Sequence, residues 1–173
     1  QRATLMNRQL YTIAFWLVVH TLWAQEPVFH QHDLGDASSS HAFYAILQDQ
    51  KGMIWMGTDK GIARFDGTTW LEIPLGSGDS LYSVQSLFQD HESRLWIGTS
   101  SGRIFFIDAS GKLHPFDIEE GNPKKPIVTI IEDRQQNIWF ATYGEGAYVY
   151  NGSRLFNIGT DDGLRGQDIY AMT

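Results

Sequence analysis

The feature that most constrains the fold of this chain is a threefold internal repeat. Three segments share the same order of turn residues, hydrophobic residues and glycines: DQKGMIWMGTDKGIARFDG, DHESRLWIGTSSGRIFFIDASG and DRQQNIWFATYGEGAYVYNG. The copies align on one Asp and one Trp each, namely Asp49 with Trp55, Asp90 with Trp96, and Asp133 with Trp139. The units are 41 and 43 residues apart, and the Asp-to-Trp separation is six residues throughout. A fixed period in the forties predicts a propeller, a solenoid or another repeat array.

The pattern inside each unit selects among these architectures. Every unit has four short runs rich in Ile, Phe, Tyr, Trp and Val, separated by turn residues. In the first unit the runs are 42–48, 53–57, 61–66 and 69–73. Outside the N-terminal leader, no window of helical length has apolar residues at helical spacing. The predicted fold class is therefore all-β: three four-stranded antiparallel propeller blades plus the first strand of a fourth, in an incomplete ring.

The repeats also predict domain boundaries. Repeat 1 is expected at 42–82, repeat 2 at 83–125 and repeat 3 at 126–167, with a truncated repeat 4 beginning at 168–173. Since propellers close with about 4–8 blades, three blades and a strand indicate the N-terminal piece of a longer protein. Such a piece is expected to expose two apolar blade faces and an unpaired edge strand.

Turn and strand chemistry support the blade interpretation. In DQKG, Asp49 and Gly52 occupy the positions that a type I turn favours for Asp and Gly, and the carboxylate can accept backbone N–H groups two residues on. Repeats 2 and 3 lack that glycine, so we expect looser turns there. The second strand pairs two apolar residues, such as Ile54 with Trp55, which predicts burial of both faces between neighbouring blades.

These units resemble the two-component regulator propeller repeat, whose pattern runs roughly I-x-x-I-x-x-D-x-x-G-x-[IL]-W-[IF]-G-T-x-x-G-[IL]. The resemblance extends over residues 33 to 173. We assign the matching residues as structural repeat positions; they are Asp49, Trp55, Gly57, Thr58, Asp90, Trp96, Gly98, Thr99, Asp133, Trp139, Ala141 and Thr142. The sequence does not identify ligand-binding residues.

The resemblance implies a function. Exported members of this family form the periplasmic sensor of a two-component histidine kinase that is anchored in the inner membrane and acts as a homodimer. The implied partners are an extracytoplasmic small molecule or oligosaccharide and the remaining blades of the parent chain. Two alternatives rank below this one. The first is an exported scaffold, or a propeller feeding another output such as a nucleotide cyclase. The second is a propeller-type lyase or hydrolase with active residues in other blades.

The N-terminal segment is a different kind of sequence. Residues 6–24 combine Arg8 with an apolar run of signal-peptide length, and Ala24 before Gln25 is a small-residue cleavage point. An uncleaved anchor or a buried strand is the alternative. Residues 1–5 are interpreted as upstream or fragment residues, and 25–41 as a linker or first-strand region. Removing residues 1–24 changes the formal net charge from −7 to −9.

Composition excludes several function classes. An acidic chain without a run of Lys or Arg argues against nucleic-acid binding, because phosphate contacts need clustered cations. The absence of cysteine excludes disulfides, thiolate catalysis and Cys-based zinc sites. We predict no cofactor and no metal.

Other polar groups give no catalytic prediction either. We interpret His30, His32 and Asp33 as linker rather than metal ligands, and Asp161–Asp162 as a turn rather than a calcium site. The serines at 38–40 beside His41 lack an orienting group, and the GEG at 144–146 precedes no helix. Four aromatic residues could stack on sugar rings, although packing between blades explains most of them: Tyr143, Tyr148, Tyr150 and Phe156.

Overall fold

The computed structural model describes residues 42–77, 80–118 and 121–172, which form three four-stranded antiparallel sheets. In each sheet the strands follow one another in chain order, as in a propeller blade. The all-β fold class predicted from the sequence is therefore confirmed.

The blades have the following strands. Blade 1 consists of β1 (Phe43–Gln48), β2 (Ile54–Thr58), β3 (Gly61–Phe65) and β4 (Trp70–Pro74). A small hairpin of β5 (Gly76–Ser77) and β6 (Ser80–Leu81), which the sequence pattern does not predict, leads to blade 2. Blade 2 consists of β7 (Val84–Gln89), β8 (Leu95–Thr99), β9 (Ile104–Ile107) and β10 (Leu113–Phe116). Blade 3 consists of β11 (Ile127–Glu132), β12 (Ile138–Thr142), β13 (Ala147–Tyr150) and β14 (Leu155–Ile158).

The N-terminal predictions cannot be compared with this structure. The signal peptide at 6–24, its cleavage point between Ala24 and Gln25, residues 1–5 and the linker at 25–41 lie outside the described residues. So do His30, His32, Asp33, His41 and the serines at 38–40. Among the residues that are described, no helix has the length and hydropathy needed to cross a membrane.

Neighbouring blades pack through the second strand of each sheet. Trp55 of β2 shares a buried cluster with Ile97 of β8. Trp96 of β8 shares another with Ile138 and Phe140 of β12. Side chains of a strand alternate between its two faces, so the Trp faces the following blade and its sequence neighbours face the preceding one.

Burial is greatest where a blade has neighbours on both sides. Strand β8 of the middle blade is buried at every position, whereas β2 and β12 each keep partly exposed positions. Trp96 is 1% exposed. Burying a Trp side chain of ~150–250 Å² at roughly 25 cal/mol per Å² contributes about 4–6 kcal/mol before the entropy cost of ordering it. The interpretation of an apolar strand buried on both faces therefore holds for the middle blade.

A glycine in β2 and in β8 gives the next blade room to approach. A Cβ added at Gly57 would lie 2.7 Å from Val84 Cγ1, and one added at Gly98 would lie 2.7 Å from Ile127 Cγ2. Val84 and Ile127 begin the first strands of the following blades. The Gly of the WxGT pattern is thus a contact between blades. Repeat 3 has the larger Ala141 at this position.

Hydrogen bonds also link one blade to the next. The backbone N–H of Gln50, directly after Asp49, donates to Gln89 Oε1 at 2.8 Å. At the equivalent place the backbone N–H of His91 donates to Glu132 Oε2 at 3.0 Å, and the His91 ring contacts Glu132 Oε1. In both cases the acceptor is the residue immediately before the Asp of the next repeat. The turn of one blade is therefore tied to the first strand of its neighbour.

The turns without glycine are as closed as the turn that has one. Gly52 N–H bonds to Asp49 O at 2.9 Å, and the N–H groups of Ser93 and Gln136 make the same bond at 3.0 Å. The expectation of looser turns in repeats 2 and 3 is therefore wrong. Ser93 and Gln136 adopt left-handed φ values of 62° and 67°, which L residues reach at modest cost.

The beginning of repeat 4 differs in detail from the expectation. Asp168 makes one isolated bridge with Tyr143, and Ile169 N–H bonds to Thr142 O at 3.1 Å. Residues 169–172 form no strand ladder. In blades 1 to 3 the first strand pairs with the second strand of its own sheet, and the described residues after 168 include no such second strand.

The close approach at Gly98 generates a stability prediction. We expect Gly98→Ala to lower the free energy of unfolding by about 1–3 kcal/mol, because the new methyl group overlaps Ile127 and Ser86. Urea unfolding followed by Trp fluorescence measures the change. Gly166→Ala is the matched control, since a Cβ there meets nothing within 4 Å. Equal stability of the two variants would contradict the packing role of Gly98.

Candidate functional site: a groove between blades 2 and 3

The Asp of each repeat is occupied by bonds within its own blade. Asp49 Oδ1 accepts the N–H groups of Lys51 at 2.8 Å and Met53 at 2.9 Å. Its Oδ2 accepts the indole N–H of Trp55 at 2.8 Å. The same carboxylate-to-indole bond is 2.7 Å for Asp90 with Trp96 and 2.8 Å for Asp133 with Trp139. These carboxylates hold the turn and orient the Trp.

The Thr of each repeat closes the turn between the second and third strands. The hydroxyls of Thr58, Thr99 and Thr142 donate to the carbonyl groups of Gly61, Arg103 and Gly146 at 3.1, 2.8 and 2.8 Å. All three Thr side chains are buried. The Asp, Trp and Thr repeat positions identified from the sequence therefore make hydrogen bonds within their own blades.

The pKa of Asp133 reflects this arrangement. The indole N–H of Trp139 and the side-chain amide of Asn137 donate to its carboxylate, and they lower the pKa from 3.8 to about 2. The backbone N–H groups of Asn137 and Gln135 act on the pKa in the same direction. These donors stabilise the charged form and lose their acceptor when the carboxyl is protonated.

The candidate site lies at the opposite end of the blades, where the second and third strands turn. Two cavities of about 310 and 420 Å³ adjoin there, and both are lined by Asn122 and Lys124. We call the pair the groove. The connection between β10 and β11, described at 117–118 and 121–126, separates its two halves. The groove therefore lies beside the connection between blades 2 and 3, and its lining combines residues of this connection with residues of β9 and of the turn before it.

The smaller half of the groove is lined by aromatic and polar side chains. Its lining includes Phe116, which packs against the cluster between blades 2 and 3, and Lys124, which supplies positive charge. Arg103 also lines it, with its guanidinium over the Tyr82 ring at 5.4 Å. Asp117 is part of the same lining, and its Oδ1 accepts the side-chain amide of Asn122 at 2.8 Å. Aromatic surface next to charged and amide groups is typical of a site that binds a polar organic ligand.

The larger half of the groove is organised by Glu145. Its Oε2 accepts the backbone N–H of Lys124 at 2.8 Å and the hydroxyl of Tyr148 at 3.2 Å. The side-chain amide of Asn157 donates to the Glu145 carbonyl at 2.8 Å. These bonds fix the connection against blade 3. They give this half of the groove a preformed set of donors and acceptors.

Tyr148 remains protonated across the physiological range. Burial is the main cause and the neighbouring Glu145 carboxylate adds to it; together they raise the Tyr148 pKa to about 12. The hydroxyl is therefore a neutral hydrogen-bonding group and not a base. The residue is 8% exposed, so the aromatic face is largely committed to the blade while the hydroxyl edge borders the groove.

The other sequence candidates lie elsewhere. Asp161 and Asp162 are exposed in a 3-10 turn, Thr160–Asp162, where Asp162 Oδ2 accepts the Gly159 N–H at 2.9 Å, so the turn interpretation is confirmed. The GEG at 144–146 forms the turn between β12 and β13. Tyr143 is 47% exposed and contacts Tyr170 edge-on. Within the described ranges, no group of three or more His, Asp or Glu side chains could hold a metal ion.

Sequence reasoning does not identify most groove residues. Asn122, Lys124 and Asn157 belong to no motif, and the repeat pattern assigns Tyr148 to packing between blades. One signal is present: the polar stretch 117–126 falls between repeats whose spacing is 43 residues instead of 41. Longer connections between blades are where binding residues are commonly found.

The comparison with protein families identifies the repeats. The model of the two-component regulator propeller matches residues 37–60, 78–101 and 121–144. These segments contain the Asp, Trp and Thr whose bonds are described above. The three matched segments are therefore two-component regulator propeller repeats. The comparison with curated proteins found no match for it.

Solved structures share the fold. The extracellular domain assigned to a one component system of B. thetaiotaomicron has a TM-score of 0.63 and 24% identity, over 75% of this chain and 18% of that one. The extracellular domain assigned to a hybrid two component system of the same species has a TM-score of 0.61 and 22% identity. The match covers 83% of this chain and 20% of that one. PorZ, a surface component of the type-IX secretion system of Porphyromonas gingivalis, has a TM-score of 0.66 and 18% identity. The match covers 84% of this chain and 25% of that one. The chain thus spans a quarter or less of these proteins.

The lowered pKa of Asp133 generates a pH prediction. Because the folded pKa is about 2 and the reference value 3.8, the carboxylate stabilises the fold above about pH 4, and this contribution is lost as the pH falls towards 2. We expect Asp133→Asn to be less stable at neutral pH and to lose less stability between pH 4 and pH 2 than the parent. Thermal melts of parent and variant at neutral pH, pH 4 and pH 2 check this, and Asp161→Asn, at an exposed residue, is the control. Identical acid dependence of parent and Asp133→Asn would contradict it.

Proposed function

We propose that this chain is part of an exported sensor that binds an extracytoplasmic ligand in the groove and passes the signal to a histidine kinase in its parent protein. The observation that carries the proposal is a groove of non-repeat polar residues on blades of the two-component regulator type. The relatives assigned to one component and hybrid two component systems are extracellular domains, which supports an exported location.

The chemistry of the groove supports a small polar ligand. Its two halves of about 310 and 420 Å³ fall within the range of ligand pockets, ~300–1,000 Å³. Glu145 and Asp117 supply acceptors and Lys124 supplies donors, while Arg103 lines the groove with its guanidinium over the Tyr82 ring. The aromatic residue Phe116 lies beside them in the lining. An oligosaccharide matches this mixture, because its hydroxyl groups take both donors and acceptors while its ring faces pack on aromatic surface.

The groove is better suited to binding than to catalysis. Tyr148 is protonated, and Glu145 already accepts two hydrogen bonds from the protein. No His borders either half of the groove within the described residues. In the parent we propose a periplasmic location, an inner-membrane anchor and a homodimer, so that binding in paired propellers can be passed to paired kinase domains.

The proposal predicts a ligand whose affinity depends on the groove cations. We expect the double variant Arg103→Ala, Lys124→Ala to weaken binding at least about tenfold, because two charge-assisted donors are removed. Isothermal titration of the chain against a panel of neutral and acidic oligosaccharides measures this. Lys112→Ala, at the other end of blade 2, is the matched control and should bind as the parent does.

Two results would contradict the proposal. A ligand that binds the double variant as tightly as the parent would place the binding site elsewhere. A parent protein whose kinase output does not respond to a ligand bound in the groove would rule out sensing. Stable capture of a protein partner through the groove would instead favour the scaffold function.

A further inference from the structure

The turn between β13 and β14 contains a reactive dipeptide, Asn151-Gly152. The chain has five asparagines, and the residues that follow the other four are Arg8, Pro123, Ile138 and Ile158. Glycine has no side chain to hinder approach of its own nitrogen to the preceding side chain. Asn151, Gly152 and Ser153 are all exposed, so water can reach the turn.

Three donors converge on the side-chain oxygen of Asn151. Its Oδ1 accepts the backbone N–H of Ser153 at 3.1 Å, the Ser153 hydroxyl at 3.0 Å and the backbone N–H of Arg154 at 2.9 Å. If the nitrogen of Gly152 attacks Cγ, negative charge develops on this same oxygen. Donors already in place at a developing oxyanion lower the barrier to its formation.

The corresponding turns of the other repeats show what a carboxylate does at this position. In repeat 1, Asp66 accepts the N–H groups of Thr68 and Thr69 at 2.8 Å each. In repeat 2, Asp108 accepts the N–H groups of Ser110 at 2.9 Å and Lys112 at 3.0 Å. The turn between third and fourth strands is therefore built for an Asp in two repeats, and an aspartate in the third repeat would find the same kind of donors.

We propose that Asn151 is a site of spontaneous deamidation that converts the third repeat to the Asp-containing turn of the other two. The Gly152 nitrogen forms a bond to Asn151 Cγ, the Cγ–Nδ2 bond breaks, and ammonia leaves with the proton from Gly152. Water then opens the resulting cyclic imide. Opening at the side-chain carbonyl leaves an aspartate in place of Asn151, and opening at the backbone carbonyl leaves isoaspartate.

The two products differ in how well they fit. Aspartate keeps the backbone of the turn and presents the acceptor that the N–H groups of Ser153 and Arg154 already face. Isoaspartate adds one atom to the main chain between Tyr150 and Gly152, and therefore breaks the pairing of Tyr150 with Leu155. The folded chain favours aspartate at this site, which adds one negative charge to blade 3.

Peptide mapping by mass spectrometry tests the proposal. The intact chain is held in mildly alkaline buffer, and the mass increase from amide to acid is followed at each Asn. We expect Asn151 to react roughly tenfold or more faster than Asn137 and Asn157. Asn122 precedes Pro123, which has no N–H, and serves as an internal blank. Equal rates at Asn151 and Asn157 would overturn the proposal.

A second variant tests the role of the donors. Ser153→Ala removes one of the three and should slow the reaction about three- to tenfold, less than for a buried oxyanion donor because the turn is exposed. An unchanged rate would overturn the oxyanion argument. Asn151→Asp stands for the product and should melt at the parent temperature; a clear loss of stability would show that the turn does not accept the carboxylate.

Discussion

A hydrogen bond from an indole N–H to a carboxylate within each repeat is the interaction on which the rest of the structure depends. The carboxylate of Asp90 is buried and bonds both the turn and the Trp96 indole. The indole ring then packs in the interface with the next blade, where it contacts Phe140 edge-on at 5.6 Å between ring centroids. A buried carboxylate deprived of these donors would be costly, so turn, strand and blade packing form together.

Much of the fold could be predicted because this interaction has a fixed spacing. The six residues between Asp and Trp, repeated three times, define the blade and its second strand. The prediction of looser turns in repeats 2 and 3 is wrong because it assumes that only a turn with glycine can form the closing backbone hydrogen bond. In those turns the Asp carboxylate accepts the N–H of Arg94 or Asn137 at 2.8 and 2.9 Å, and these bonds offset the cost of a left-handed Ser93 or Gln136.

The groove could not be predicted in the same way, because the polar side chains that distinguish it are not shared by the three repeats. Asn122 and Lys124 lie in a connection whose length and composition belong to one repeat only. Tyr148 illustrates the difficulty at the level of a single side chain. Its ring packs as any blade residue would, and only the Glu145 contact shows that its hydroxyl belongs to the groove. A pattern in one sequence identifies what is repeated and leaves unique surfaces undetermined.

The ties between the turn of one blade and the first strand of the next constrain the residues on both sides of the repeat Asp. The donor is a backbone N–H in both ties, at Gln50 and at His91, whereas the acceptor is a side-chain oxygen, at Gln89 and at Glu132. The side chain of the residue after the repeat Asp adds to each tie: Gln50 Oε1 accepts the Ser93 hydroxyl at 3.1 Å, and the His91 ring contacts Glu132. The residue before the Asp supplies the carbonyl or carboxylate oxygen. A blade transplanted from another propeller of this type would therefore need that acceptor, a compatible turn side chain on its neighbour, and a face that packs against the neighbouring cluster.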